Sequence, residues 1–259
     1  KRHSQKGAAA AAAAAAAQQQ QQQEEEADNK DGHLLVRTAP EVPEAKAQGI
    51  MTLKMPTAKG WPEGHVPVAA EGLKVNAFAA GLKHPRWIHV LPNGDVLTSE
   101  ALGVPGGRIE TPFDYAMYST MKRAAAIGDS PNRITLLRDK DGDGVAEERH
   151  TFMEGLNHPF GMAMLDGTFY VGVTDGLVAY PYAEGANEIT GEGTRLAEFK
   201  PAGHWTRSLL PNPEGTRLYV GVGSLSNIGD KGMEAEEGRA AIYEVDLASG
   251  ENRIFASGL

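Results

Sequence analysis

The chain contains no cysteine in its 259 residues, which excludes disulfides, thiolate metal ligands and thiol nucleophiles. Basic residues are in deficit: 25 Lys and Arg stand against 34 Asp and Glu, a formal charge of −9. That balance argues against a general nucleic-acid binder, which needs a basic face for phosphates, and against attachment to an anionic membrane surface. No window approaches 18 apolar residues free of charge, so no segment reads as a bilayer-spanning helix. A Gly-x-Gly-x-x-Gly turn opening a helix, a Walker loop and a Gly-x-Ser-x-Gly elbow are also missing. Rossmann-type nicotinamide or flavin chemistry and serine hydrolysis are therefore disfavoured. Aromatics are sparse at 7%, whereas 31 glycines and 15 prolines point to many turns between short elements.

The chain divides by texture. Residues 1–32 are of low complexity, with ten alanines from Ala8 to Ala17, six glutamines and three glutamates. They read as a disordered or marginally helical tail, because alanine supplies no apolar face to dock. Residues 33–60 form a proline-containing connector expected to run extended. Lys1 is not a methionine, so a preceding segment, a signal peptide included, stays open. Residues 61–259 carry short β-rich runs: 74–79, 87–91, 95–99, 133–137, 168–173, 177–180, 217–222 and 241–245. Between them lie turn sequences such as Pro92-Asn-Gly-Asp, Leu165-Asp-Gly and Pro213-Glu-Gly. The fold class is all-β.

The runs repeat. Gly81-Leu-Lys-His-Pro and Gly155-Leu-Asn-His-Pro each precede an apolar strand, a turn and a second strand, and Gly203-His-Trp opens a looser third copy. The histidines fall at 84, 158 and 204, and treating Gly103 to Pro131 as an insertion makes the two spacings 45 and 46. A period of about 45 residues with four short strands is that of a β-propeller blade. Gly258-Leu259 resembles the opening of a further copy. Fewer than four blades cannot close, so the chain is expected to be a fragment with about half of its parent domain.

Several segments then resemble the glucose/sorbosone dehydrogenase family. They are Thr52-Leu-Lys-Met-Pro-Thr-Ala-Lys-Gly-Trp, Gly81-Leu-Lys-His-Pro-Arg-Trp, Ile134-Thr-Leu-Leu-Arg-Asp-Lys-Asp-Gly-Asp-Gly, Gly203-His-Trp-Thr-Arg-Ser-Leu, Gly221-Val-Gly-Ser-Leu-Ser-Asn and Glu237-Gly-Arg-Ala-Ala-Ile. The resemblance runs from about Gly49 to Leu259. It implies a six-bladed propeller that holds pyrroloquinoline quinone (PQQ) on its axis with calcium beside it. It also implies oxidation of an aldose, sorbosone or similar sugar aldehyde, an external electron acceptor, and a periplasmic or secreted location.

His204 is the candidate base. Oxidising a lactol or hydrated aldehyde removes a hydroxyl proton as hydride leaves carbon, a task suited to a neutral imidazole. The resemblance places the family's general base at this histidine; the bland alternative is a blade-start histidine like His84 and His158. Arg207 either holds a PQQ carboxylate or the reduced quinone oxygen, or forms a salt bridge between blades. Ser224 and Asn227 follow a strand directly and offer hydroxyl and amide groups to a flat ligand, or else merely form a turn. Arg86 is a further candidate for the axial face. Glu237 and Arg239 read as a structural ion pair.

Asp139, Asp141 and Asp143 stand at positions 1, 3 and 5 of a calcium-type loop with Gly144 at position 6, but position 12 is His150, so the full EF-hand pattern fails. Glu147 or Glu148 is available to complete a structural calcium site, and a plain hairpin turn is the alternative. Two other functions remain open from sequence: a metal-dependent propeller lactonase or hydrolase, and a non-catalytic binding propeller.

Overall fold

Alternating apolar residues build twelve strands in the computed structural model, which describes residues 57–62, 64–103, 111–226, 229 and 231–258. All of these lie in Lys54–Leu259, one of the two units into which the chain divides. The tail (1–32), most of the connector (33–60) and Asn227 lie outside the described residues.

The strands form three four-stranded antiparallel meanders. The first sheet is β1 (Pro85–Val90), β2 (Val96–Glu100), β3 (Arg133–Arg138) and β4 (Glu148–Met153). The second is β5 (Met162–Leu165), β6 (Thr168–Val173), β7 (Gly176–Pro181) and β8 (Thr194–Glu198). The third is β9 (Arg207–Pro211), β10 (Arg217–Val222), β11 (Ala241–Asp246) and β12 (Asn252–Ser257). The repeat extends to irregularities: each outermost pair slips register near the start of its third strand, at Ile134/Thr135, Leu177/Val178 and Ile242/Tyr243. Contacts between sheets run from β1 to β5 and from β5 and β6 to β9, so the first strands stand side by side. This is the arrangement of a partial β-propeller.

Period-two alternation assigns each face. In β6, Phe169, Val171 and Val173 pack toward the first sheet with Leu97, Ile134, Leu136 and Phe152. Tyr170, on the opposite face of β6, joins Leu209, Leu218, Val220 and Val222 toward the third sheet. Phe152 and Phe169 meet edge to face at 5.3 Å, and both are fully buried. Buried ion pairs tie strand ends. Glu100, wholly buried, accepts from Arg133 Nε at 2.8 Å, from the Thr135 hydroxyl and from Lys83 N. Burial opposes its ionisation, yet these donors together hold its carboxyl below the usual range.

One expected strand needs revision. Lys74–Ala79 is not a strand; it runs unpaired apart from Ala146 N donating to Phe78 O and Asn76 Nδ2 donating to Gly144 O. The insertion between β2 and β3 holds a helix, α1 (Pro112–Arg123), opened by a capping box in which Thr111 and Asp114 satisfy each other's backbone N–H.

Candidate functional site

The three repeat turns lie at one end of the sheets, each tied to the end of its own sheet's second strand. Ala101 N donates to His84 O, Thr174 N to Asn157 O, and His204 N to Ser224 O. Side chains preceding three different sheets therefore converge beside the first strands.

His204 makes the most side-chain hydrogen-bond contacts of the three repeat histidines. Its Nδ1 lies 3.0 Å from Ser224 O and 2.9 Å from Ser224 Oγ. A carbonyl oxygen can only accept, and Ser224 Oγ spends its proton on Ser226 O at 2.7 Å. Nδ1 must then carry the hydrogen, leaving the lone pair of the neutral ring on Nε2, on an exposed side chain. Two glycines make the close fit possible. A Cβ at Gly223 would stand 2.6 Å from His204 Cβ, and one at Gly203, whose φ is +65°, would stand 2.5 Å from Leu225 backbone. Beneath, Glu236 accepts from Leu225 N, Ser226 N and Ser226 Oγ, and these bonds hold its carboxyl below the usual glutamate range.

Trp205 reaches across to the other two sheets. Its ring meets Phe160 at 6.0 Å and His158 at 5.7 Å, and the Arg86 guanidinium lies over it at 5.6 Å. Arg86 spends Nε on Ala101 O at 2.8 Å, and its Nη groups have no partner among the described residues. A cavity of about 480 Å³ opens here, lined by His84, Arg86, Gly103, Met121, Ile127 and Trp205 among others. Burial pushes the His158 imidazole below its ordinary value.

Of the expected site residues, His204, Ser224 and Arg86 therefore gather at one end. Arg207 is three residues from His204 but wholly buried, with its Nη groups on the carbonyls of His204, Thr206 and Lys200. Arg239 does not take up the expected ion pair with Glu237; it is 4% exposed and also binds carbonyls. Trp205 and the α1 insertion received no role from sequence. The only signal was the placing of Trp205 directly after His204.

Asp139, Asp141 and Asp143 lie at the other end of the first sheet, in the turn joining β3 to β4. With Glu147 they bring one carboxylate oxygen each within 4.8 Å of one another. Asp139 accepts from Gly142 N at 2.7 Å and Gly144 N at 2.8 Å. Glu148, the other residue offered for this cluster, instead pairs with Lys140 and Arg138.

Three four-stranded meanders, with a histidine, an arginine and a tryptophan gathered beside their first strands, define a partial β-propeller with a candidate site at one end of its sheets. The chain belongs to the TrAA12-like family, matched over residues 128–257. This bears out the resemblance to quinone-dependent sugar dehydrogenases seen in the sequence. Among solved structures, the iodide structure of the Trichoderma reesei carbohydrate-active enzyme of family AA12 is similar at 21% identity and a TM-score of 0.51, covering 71% of this chain and 41% of that one. The calcium structure of the same enzyme gives 21% and 0.50, covering 70% and 40%. The holo form of the pyranose dehydrogenase PQQ domain from Coprinopsis cinerea is more distant, at 16% and 0.47, covering 66% and 35%. At these identities the likeness is one of fold, and the chain spans about two fifths of the AA12 enzyme's length. No curated protein matches the chain.

Proposed function

We propose that the protein is a quinoprotein oxidoreductase acting on an aldose, sorbosone or a similar sugar aldehyde, built on a six-bladed propeller of which residues 61–259 form part. The observation that carries this reading is His204: Nδ1 is fixed on Ser224 and the Nε2 lone pair is left exposed. Membership of the TrAA12-like family supports it.

The donor set fits PQQ, a flat ring system with three carboxylates. Arg86 offers unpartnered Nη groups over the Trp205 ring, so guanidinium and aromatic surface are available to the carboxylates and the ring face. Ser224, which holds the His204 ring, and Asn227 are proposed as further contacts. When bound, the quinone supplies the hydride-accepting centre and calcium polarises it. His204 Nε2 takes the proton from the sugar hydroxyl whose carbon is oxidised, and Ser224 stabilises the imidazolium that results. Arg86 and Trp205 orient, and Met121 and Ile127 restrict water on the α1 side. The bound quinone would need an external two-electron acceptor, and the proposed location is periplasmic or secreted. A second, structural calcium is proposed for Asp139, Asp141, Asp143 and Glu147, whose carboxylates suit a hard cation.

The test is made on the whole protein supplied with PQQ and Ca²⁺, offered aldoses and sorbosone with a dye acceptor. Cofactor-dependent dye reduction is expected, and His204→Ala should lower kcat by about 100-fold or more. No reduction with any sugar overturns the reading, and turnover that survives His204→Ala overturns the assignment of His204 as its base.

A further inference from the structure

Two buried guanidiniums lie together under the His204 turn and share their acceptors. Arg207 donates through Nη1 to His204 O at 3.0 Å and through Nη2 to Lys200 O at 3.1 Å. Arg239 donates through Nη1 to Lys200 O at 2.9 Å and through Nη2 to His204 O at 3.2 Å. Each cation thus spans the same two carbonyls. Arg207 also reaches Thr206 O at 2.9 Å, and Arg239 reaches Ser224 O at 3.4 Å. Among the described residues neither makes an ion pair with a carboxylate, and the Nε of each is buried without a partner.

This is a costly way to fill space. Two like charges removed from water with no carboxylate in contact destabilise a fold, although Glu236 attracts Arg239 and Asp175 attracts Arg207 from farther off, and an apolar pair of similar volume would be cheaper. Burial and the neighbouring Arg239 push Arg207 down to about 10. What the pair provides is a two-sided clamp on the backbone from Lys200 to His204. One arm of it ends on Ser224 O, the same carbonyl that accepts from His204 N and Nδ1.

We propose that Arg207 and Arg239 are paired positioning residues for His204. They lock the carbonyls on either side of the turn so that the imidazole keeps Nδ1 on Ser224 and presents Nε2. A planar fork spans two carbonyls at fixed separation, and an ammonium does not. The proposal rests on the reading of His204 as the base, and its test separates the two.

Arg239→Lys and Arg207→Lys keep the charge and remove the fork. In the loaded whole protein each should lower kcat by about tenfold or more while the sugar KM stays within about twofold. A second readout needs no cofactor. The rate at which diethyl pyrocarbonate modifies His204, followed by peptide mass spectrometry, should change about threefold or more in each variant. Modification of His84 and His158 should remain as in the parent. Wild-type kcat together with a wild-type modification rate in both lysine variants overturns the proposal. Turnover that survives His204→Ala overturns the base assignment alone, because the modification rates still report on the clamp. If both variants fail to fold, ¹⁵N spectra of the unaltered protein decide. A single Nδ1–H tautomer at His204 supports the clamp, and an Nε2–H or averaged ring overturns it.

Discussion

At the residue scale, one serine does two jobs for His204. Ser224 supplies both acceptors of Nδ1, one from its carbonyl and one from its hydroxyl. Removing only the hydroxyl leaves the carbonyl, so Ser224→Ala is expected to weaken the orientation without abolishing it. A fall in kcat of about tenfold with little change in KM is expected, measured by steady-state kinetics on the loaded whole protein. Glu236 gives a pH signature. Its carboxyl is held below the ordinary glutamate value by the Leu225 N–H, the Ser226 N–H and the Ser226 hydroxyl. A depressed acid contributes stability that is present above its unfolded value and is lost as pH falls through the folded one. Thermal midpoints from about pH 7 to about pH 3 should therefore fall less steeply in Glu236→Gln than in the parent protein. Identical slopes would count against this anchoring.

At the scale of elements, the central strands were legible and the peripheral ones were not. Thr168–Val173 and Arg217–Val222 are read at their true bounds, because strands buried on both faces are written as Phe-Tyr-Val and Leu-Tyr-Val runs. The outer strands β4, β8 and β12 carry charge, and β8 and β12 expose most of their residues, so no clean apolar alternation marks them in the sequence. Lys74–Ala79 shows the converse error, since its β-type composition finds no ladder to join. The site was legible where one motif held it, as with His204, and Ser224 was singled out separately. Trp205 gains its meaning only from Arg86, at the start of β1, and His158, ahead of β5, and Arg239 is brought beneath His204 by the β10–β11 pairing. Packing energetics follow the same hierarchy. Phe169 is fully buried between two sheets against Phe152, so Phe169→Ala should cost about 3–5 kcal/mol. Urea denaturation of the 259-residue chain measures it, and a cost below about 1 kcal/mol would contradict the packing described.

At the scale of the whole molecule, the two end sheets turn apolar side chains outward. Leu210 is 65% exposed and Phe255 53% on the third sheet, and Ile88 is 67% exposed on the first. Such patches favour association. The 259-residue chain alone is expected to sediment as concentration-dependent assemblies, and Leu210→Glu with Phe255→Glu should shift it toward monomer. The acidic turn provides an independent check. Calcium added to the chain should raise its thermal midpoint by a few degrees, and Asp139→Asn should remove that gain. An unchanged midpoint would leave the turn a plain hairpin.

The meander order of the sheets also bears on how the chain is made. Every ladder pairs neighbours in sequence, and each sheet is finished before the next one begins. As the polypeptide leaves the ribosome, the second and third sheets can each pair internally once about 45 residues have emerged, without waiting for distant partners. Only the first sheet must hold its opening hairpin while the insertion with α1 is translated. The residues that meet beside Trp205 come from turns ahead of all three sheets, so the site is assembled only after the last of them has been synthesised.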